Sequence, residues 1–391
     1  MLYRKDRYGN ELSALGFGCM RFTTANGKID LEKAEKEILR SIELGVNYFD
    51  TAYIYTGSEA AIGEIFERNG VRDRIKIATK LPQYLISNRK AIDRYFNEQL
   101  SRLRTDHVDY YLMHMLTDIE AWNKLVALGI KDWIEEKKKN KEIGQIGFSF
   151  HGNTDMFLKI LIAYDWDFCQ IQYNYLDETS QAGRKGLEEA EKKGIPVIIM
   201  EPLRGGKLVD LLPGDAKKMI SENNRGYSPA EWAFRWLWDQ SGVTVVLSGM
   251  NSLEMLEENC RVAGSCEAGS FSDEDRELIE KVRDSIRDKM KIGCTGCRYC
   301  MPCPKGVDIP GIFRCYNHMY TESKGSGRKE YFQTVGFQKN PSDASLCIQC
   351  GKCESHCPQH LEIRKLLKTA DRELRPWYIK IVTAVARRFA L

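Results

Sequence analysis

Short apolar runs alternate along this chain with longer stretches in which apolar residues recur every three or four positions. The short runs, rich in β-branched residues, cover 14–19, 47–52, 76–81, 110–115, 143–150, 168–173, 196–202 and 244–250. Their length and lack of helical period predict buried strands. Between them, 31–44 places Leu31, Ala34, Ile38, Ile42 and Leu44 at a helical spacing, and 92–103, 121–139, 154–164, 186–193 and 229–238 follow the same rule. Ser228 before Pro229 is a favourable N-cap and first-turn pair. Strands in strict alternation with helices predict a parallel sheet. Eight such units within about 285 residues predict an α/β fold of the (β/α)8 TIM-barrel kind, with an open doubly wound sheet as the alternative. Residues 3–13, turning at Asp6-Arg7-Tyr8-Gly9-Asn10, read as an extra hairpin placed to plug the barrel bottom.

Beyond the alternation the pattern changes. Residues 271–290 are charged and helical, and 321–327 are a polar Gly/Ser loop. In 377–391, Tyr378, Ile381, Val382, Val385 and Phe389 share one helical face, away from Lys380, Arg387 and Arg388. The expected organisation is therefore a barrel over 1–285, a small, mainly α-helical domain over 286–375 and a basic amphipathic tail over 376–391. Such a tail suits either an anionic membrane surface or packing against the rest of the chain. Trp232, Phe234, Trp236 and Trp238 read as helix core, and the lysine run within 135–142 as a solvated helix end.

Composition narrows the setting. No apolar run approaches the length of a membrane span, and Met1-Leu2-Tyr3-Arg4-Lys5-Asp6 lacks a signal-peptide core, so a cytoplasmic location is expected. Of 13 cysteines, only Cys19, Cys169, Cys260, Cys266 and Cys315 lie outside two compact groups of four. A disulfide scaffold would spread its cysteines through the fold, so their concentration points to metal. Residues 291–391 carry 17 Lys and Arg against 8 Asp and Glu, while the remainder carries 41 against 47. That basic excess suits an acidic redox partner protein or simply a solvated face. No nucleic-acid partner is expected.

The second cysteine group reads Cys347-Ile348-Gln349-Cys350-Gly351-Lys352-Cys353-Glu354-Ser355-His356-Cys357-Pro358. This is the C-x2-C-x2-C-x3-C-P run of bacterial ferredoxins. Three thiolates at three-residue steps can cap three corners of one [4Fe–4S] cube from a single tight loop. The first group, Cys294-Thr295-Gly296-Cys297-Arg298-Tyr299-Cys300-Met301-Pro302-Cys303-Pro304, is one residue tighter before its last cysteine. Paired structural zinc sites need neither three cysteines in one loop nor a terminal Cys-Pro. Two [4Fe–4S] clusters are therefore expected. Resemblance to two-cluster ferredoxins implies that Cys294, Cys297, Cys300 and Cys357 hold one cluster, and Cys347, Cys350, Cys353 and Cys303 the other. Cys315 is a spare candidate ligand or a buried thiol.

In the barrel region, Phe49-Asp50-Thr51-Ala52-Tyr53-Ile54-Tyr55-Thr56-Gly57-Ser58-Glu59 follows the second predicted strand. Ala78-Thr79-Lys80 and Leu112-Met113-His114 end the third and fourth. Catalytic side chains of this fold gather at strand C-termini. A tyrosine, with an ordinary pKa of about 10, is a weak acid at neutral pH. A neighbouring lysine lowers that pKa, a carboxylate holds the lysine, and a histidine can hydrogen-bond a substrate oxygen.

Asp50, Tyr55, Lys80 and His114 resemble the catalytic set of the aldo-keto reductase family, and the match runs through nearly the whole barrel. The resemblance implies NADPH or NADH bound without a Rossmann glycine motif. It gives Ser149 and Gln170 to the carboxamide, and Pro202, Leu203 and Gly205 to the pyrophosphate. Glu258 and Asn259 fall to the adenine. The chain departs from the family pattern in three places. It reads Ser149-Phe150-His151 where Ser-Asn is usual. Met200 replaces the tyrosine that stacks on nicotinamide. Gly249 and Met255 replace the basic residues that grip a 2′-phosphate. His151 and Glu201 are additional polar groups near the expected pocket.

These features together predict an oxidoreductase that interconverts a carbonyl compound and an alcohol, with the iron–sulfur domain serving electron transfer, sensing or structure. The alternative is an electron-transfer or partner-binding protein whose barrel is catalytically idle. Hydride carries two electrons and a cluster takes one, and no flavin motif bridges them.

Overall fold

The computed structural model describes residues 1–376 apart from 153, 179–180, 322 and 337–341. The amphipathic face expected within 377–391 lies outside the described residues. Eight parallel strands close a barrel: β1 (Leu15–Gly18), β2 (Tyr48–Asp50), β3 (Lys76–Leu81), β4 (Val108–Leu116), β5 (Ile143–Phe150), β6 (Phe168–Gln172), β7 (Val197–Met200) and β8 (Val243–Ser248). Closure runs through β8 and β1, with Val246 opposite Leu15. These strands are buried on both faces, which is why they read as continuous apolar runs rather than alternating ones.

The predicted hairpin forms: Tyr3–Lys5 pairs antiparallel with Glu11–Ser13. Asp6 organises its turn by accepting from the backbone of Tyr8 and Asn10 at 2.9 Å, and it takes the Tyr110 hydroxyl at 2.6 Å. Leu12 joins Tyr48, Leu112, Phe168 and Val245 in the barrel interior, so the hairpin does close the end opposite the strand C-termini.

Three local expectations are corrected. The single helix over 121–139 is two, Ile119–Ala127 and Ile130–Lys139, separated where Gly129 adopts a φ of 77°. The Asp118 side chain caps the first of these, accepting from the Ala121 backbone at 2.8 Å, so the gap left between the expected strand 110–115 and the expected helix shrinks to residues 117–118. The lysine run is not wholly solvated: Lys137 is buried over the Phe96 ring and paired with Glu142 at 3.0 Å. Helices Ser58–Asn69 and Leu253–Ala263 were not anticipated.

The structure divides into two compact units. Met1–Pro202 and Glu231–Phe271 form the barrel unit, while Leu203–Ala230 joins the segment from Ser272 onward in the second. A capping box between Ser272 and Asp275 opens the predicted charged helix, which runs from Asp273 to Lys289. It packs on the Gly214–Ser221 helix, and Lys289 meets Asp215 at 2.5 Å. The core of the second unit comes from helices Ile309–Thr321 and Ile363–Leu374, each following one cysteine group; Ile312, Phe313, Leu367 and Leu374 are central to it. Cys315 is fully buried in that core.

The polar loop expected over 321–327 is instead largely the start of a helix, Lys324–Tyr331. Ser323 caps it by accepting from Ser326 at 3.1 Å. Gly327 lets it approach its neighbour, since a Cβ there would sit 2.5 Å from the Cys315 carbonyl oxygen. The glycine that suggested a loop is a packing contact.

Candidate active site and cluster loops

Asp50, Lys80 and His114 come from the C-terminal ends of three adjacent strands, β2, β3 and β4. Tyr55 sits in the tight turn between β2 and the Ser58–Asn69 helix, where Ser58 donates its N–H to the Tyr55 carbonyl at 2.9 Å. The Lys80 ammonium lies 2.6 Å from Asp50 Oδ1, donates to the Thr51 carbonyl at 2.7 Å and stands 5.1 Å from the centre of the Tyr55 ring. Tyr55 and His114 meet edge to face at 6.2 Å. Asp50, Lys80 and His114 are buried, whereas Tyr55 is half-exposed. A buried ion pair of this kind costs several kcal/mol if one partner is removed, so it fixes Lys80 firmly.

A bulge in β4 aims this end of the strand. Its register with β5 slips between Met113 and Leu116, and Met115 has a φ of 56°. The displaced Met115 N–H is taken by Ser149 Oγ at 2.7 Å. Burial first, then Lys80 and His151, push the His114 pKa well below its ordinary value. Its imidazole is thus neutral at pH 7 and fit to donate or accept a hydrogen bond rather than to carry charge.

Sequence reasoning missed a buried polar chain beside this group. His151 Nδ1 lies 3.1 Å from Gln181 Oε1, Gln181 donates to Gln172 at 2.8 Å, and Gln172 donates to Asp177 at 2.9 Å. Only the run of polar residues after β6 hinted at it. Tyr84 was also missed; its ring is 6.2 Å from His114, and burial raises its pKa to about 12.

The residues carried over for a dinucleotide lie in both units. Ser149 and Met200 stand at the ends of β5 and β7, Gly249 just beyond β8 and Gln170 midway along β6, with Pro202 shortly after β7. Gln170 Nε2 donates to Asp50 Oδ2 at 2.9 Å, joining it to the Lys80 pair. Glu258 and Asn259 lie on the Leu253–Ala263 helix, where Asn259 reaches Ser248 Oγ at 3.2 Å. Leu203 and Gly205 belong to the second unit. Arg21 follows β1; its stem would be 3.1 Å from a Cβ on Gly249, and its guanidinium is 3.6 Å from Glu201. A cation thus stands beside a position that looked uncharged in the sequence.

The two cysteine groups share a backbone pattern. In the first, Gly296 and Arg298 have φ values of 72° and 68°; at the matching places in the second, Gln349 and Gly351 have 61° and 77°. Left-handed residues at these steps wind each loop tightly and turn successive N–H groups inward, an arrangement that favours anions. Cys294, Cys297, Cys300 and Cys357 line one small cavity together with Thr295 and Phe313. Cys350 is exposed in the other loop, where Gln349 Nε2 donates to Cys347 Sγ at 3.3 Å.

The barrel, with a charged cluster buried at its strand C-termini, defines a (β/α)8 oxidoreductase type. Residues 14–284 match the model of the aldo/keto reductase family, and the chain belongs to that family. Residues 293–361 match the model of a 4Fe-4S dicluster domain. The chain is 24% identical over 302 residues to the uncharacterised oxidoreductase YqkF of Bacillus subtilis, covering 67% of this chain and 92% of that one. It is 24% identical over 307 residues to L-galactose dehydrogenase of Arabidopsis thaliana, covering 72% and 93%. The holo form of aldo-keto reductase AKR11C1 from Bacillus halodurans superposes with a TM-score of 0.58 at 23% identity, covering 72% of this chain and 96% of that one. An aldo-keto reductase from Klebsiella pneumoniae in complex with NADPH gives 0.57, also at 23% identity, covering 72% and 96%. These structural likenesses establish the barrel fold.

Proposed function

We propose that the protein is an NAD(P)H-dependent oxidoreductase interconverting a carbonyl compound and an alcohol, and that its eight clustered cysteines hold two [4Fe–4S] clusters. The observation that carries the reading is Lys80, fixed by Asp50 at 2.6 Å and set 5.1 Å from the Tyr55 ring beside His114. The residues suit the dinucleotide: Ser149 accepts from Met115 and keeps its own hydroxyl proton for a carboxamide, and Arg21 stands beside Gly249. The donor set of the cysteine loops suits iron–sulfur clusters, with Cys294, Cys297, Cys300 and Cys357 around one cavity.

A bound dinucleotide supplies the hydride. Tyr55 donates the proton to the carbonyl oxygen, and the nearby Lys80 stabilises the phenolate left behind. Neutral His114 orients that oxygen by a hydrogen bond. Among the described residues no cation lowers the pKa of Tyr84, which burial raises, so Tyr84 shapes the pocket rather than supplying protons. In this uncoupled picture, the cysteine loops would hold clusters that supply one-electron chemistry to an acidic partner protein, separate from the hydride chemistry of the barrel.

The test is an anaerobic screen of carbonyls and alcohols with NADPH and NADH, following nicotinamide absorbance and cluster colour together. Tyr55→Phe is expected to lower kcat by at least a hundredfold with dinucleotide affinity nearly unchanged, whereas Tyr84→Phe keeps most of the rate. Full turnover in Tyr55→Phe would remove the assignment. Bleaching of the clusters by nicotinamide alone would contradict the uncoupled picture.

A further inference from the structure

The segment after β7 leaves the barrel unit at Leu203, and its basic residues meet the first cysteine loop. Arg204, Gly205 and Gly206 adopt φ values of 48°, 69° and 91° in succession. For Arg204 this conformation costs roughly 1–2 kcal/mol, so neighbouring contacts must hold it. Arg204 is 4% exposed and donates to the Gly293 carbonyl oxygen at 3.3 Å. One turn on, the Lys207 ammonium donates to the carbonyl oxygen of Cys294, and it lies 3.8 Å from where a Cβ would stand on Gly296. Two cations from a distant stretch of sequence thus address the residues that open the ligand loop.

We propose that Lys207 raises the reduction potential of the cluster held by Cys294, Cys297, Cys300 and Cys357, and that Arg204 fixes the loop carrying it. The inference rests on the reading that these four cysteines ligate a [4Fe–4S] cluster. Reduction adds one negative charge to the cluster, and a fixed cation at the loop favours that state. The Thr295 hydroxyl acts in the same direction. It is 2% exposed, lines the same cavity and has no hydrogen-bond partner among the described residues, so it is available to a cluster sulfur.

The test is an EPR-monitored titration of the anaerobically purified holoprotein with dithionite. Lys207→Met is expected to weaken the reduction equilibrium of one cluster about tenfold, which is about 59 mV for one electron, and to leave the other unchanged. Lys207→Arg stays within threefold of the wild type. Unchanged midpoints in an iron-replete Lys207→Met protein overturn the proposal. If that variant does not load iron, Lys207→Gln decides, because it keeps a donor but no charge. A loaded Gln variant with a lowered midpoint supports the proposal, and one with the wild-type midpoint overturns it. A wild-type protein with far fewer than about eight irons would defeat the two-cluster reading first, and the inference with it.

Discussion

Among single residues, His151 offers the clearest pH signature. Burial lowers its pKa from an ordinary 6.5 to about 4, with a partly offsetting hydrogen bond donated to Gln181 and a further lowering by Lys80. Between those values the unfolded chain binds a proton that the folded protein refuses. The contribution is therefore intact above pH 6.5 and is lost as the pH falls toward 4, by roughly 3 kcal/mol. Urea unfolding at pH 7 and pH 4.5 should show this loss in the wild type and a smaller one in His151→Gln. An equal pH dependence in both proteins would mean that the ring is not held neutral. Asp50, Tyr55, Lys80 and His114 were legible because each stands at or just past a strand end, where side-chain chemistry is exposed by topology. His151 was visible only as an unusual neighbour of Ser149. Its partner Gln181 lies 30 residues away, and no local pattern records that pairing.

At the level of elements, β3 and β5 begin and end where the apolar runs do, because both strands are buried along nearly their whole length and their few polar residues, such as Lys80 and Ser149, fall inside the run. Helices were less legible. The Ser58–Asn69 helix begins within the tyrosine- and glycine-rich motif that drew attention for its chemistry, and left-handed Gly57 and Gly70 bracket it. Lys324–Tyr331 was hidden by its glycines, of which Gly327 serves interhelical contact. Gly327→Ala tests this directly. Helix propensity would favour alanine by about 1 kcal/mol. A Cβ only 2.5 Å from the Cys315 oxygen and 2.6 Å from Met319 Cγ opposes it with an overpacking cost of about 1–3 kcal/mol. The variant should lose net stability in the second unit, read as faster iron release in denaturant. Slower release would show that the helices separate freely.

The whole molecule departs most from its linear reading between residues 203 and 230. Strand–helix alternation assigned this stretch to the barrel, yet it packs with the segment that follows Phe271. Arg225 makes two 3.1 Å hydrogen bonds to Asp275, and the Gly214–Ser221 helix rests on Asp273–Lys289. Contacts across such distances follow from three-dimensional packing and leave no periodic trace. A chain cut after residue 271 should therefore expose 203–230. Limited proteolysis with mass spectrometry is expected to cleave that stretch at least tenfold faster in the truncated protein than in the full chain. Equal cleavage rates would deny the interdependence.

That interleaving also sets a schedule for biosynthesis. Asp215 leaves the ribosome 74 residues before its partner Lys289. At about 5–20 residues per second, the buried face of the Gly214–Ser221 helix waits on the order of 4–15 seconds for the surface that covers it. During that interval the Ala216 and Ile220 side of this amphipathic helix stays uncovered, and for the first part of it the barrel still lacks β8. The protein should therefore depend on holdase chaperones until the Asp273–Lys289 helix emerges.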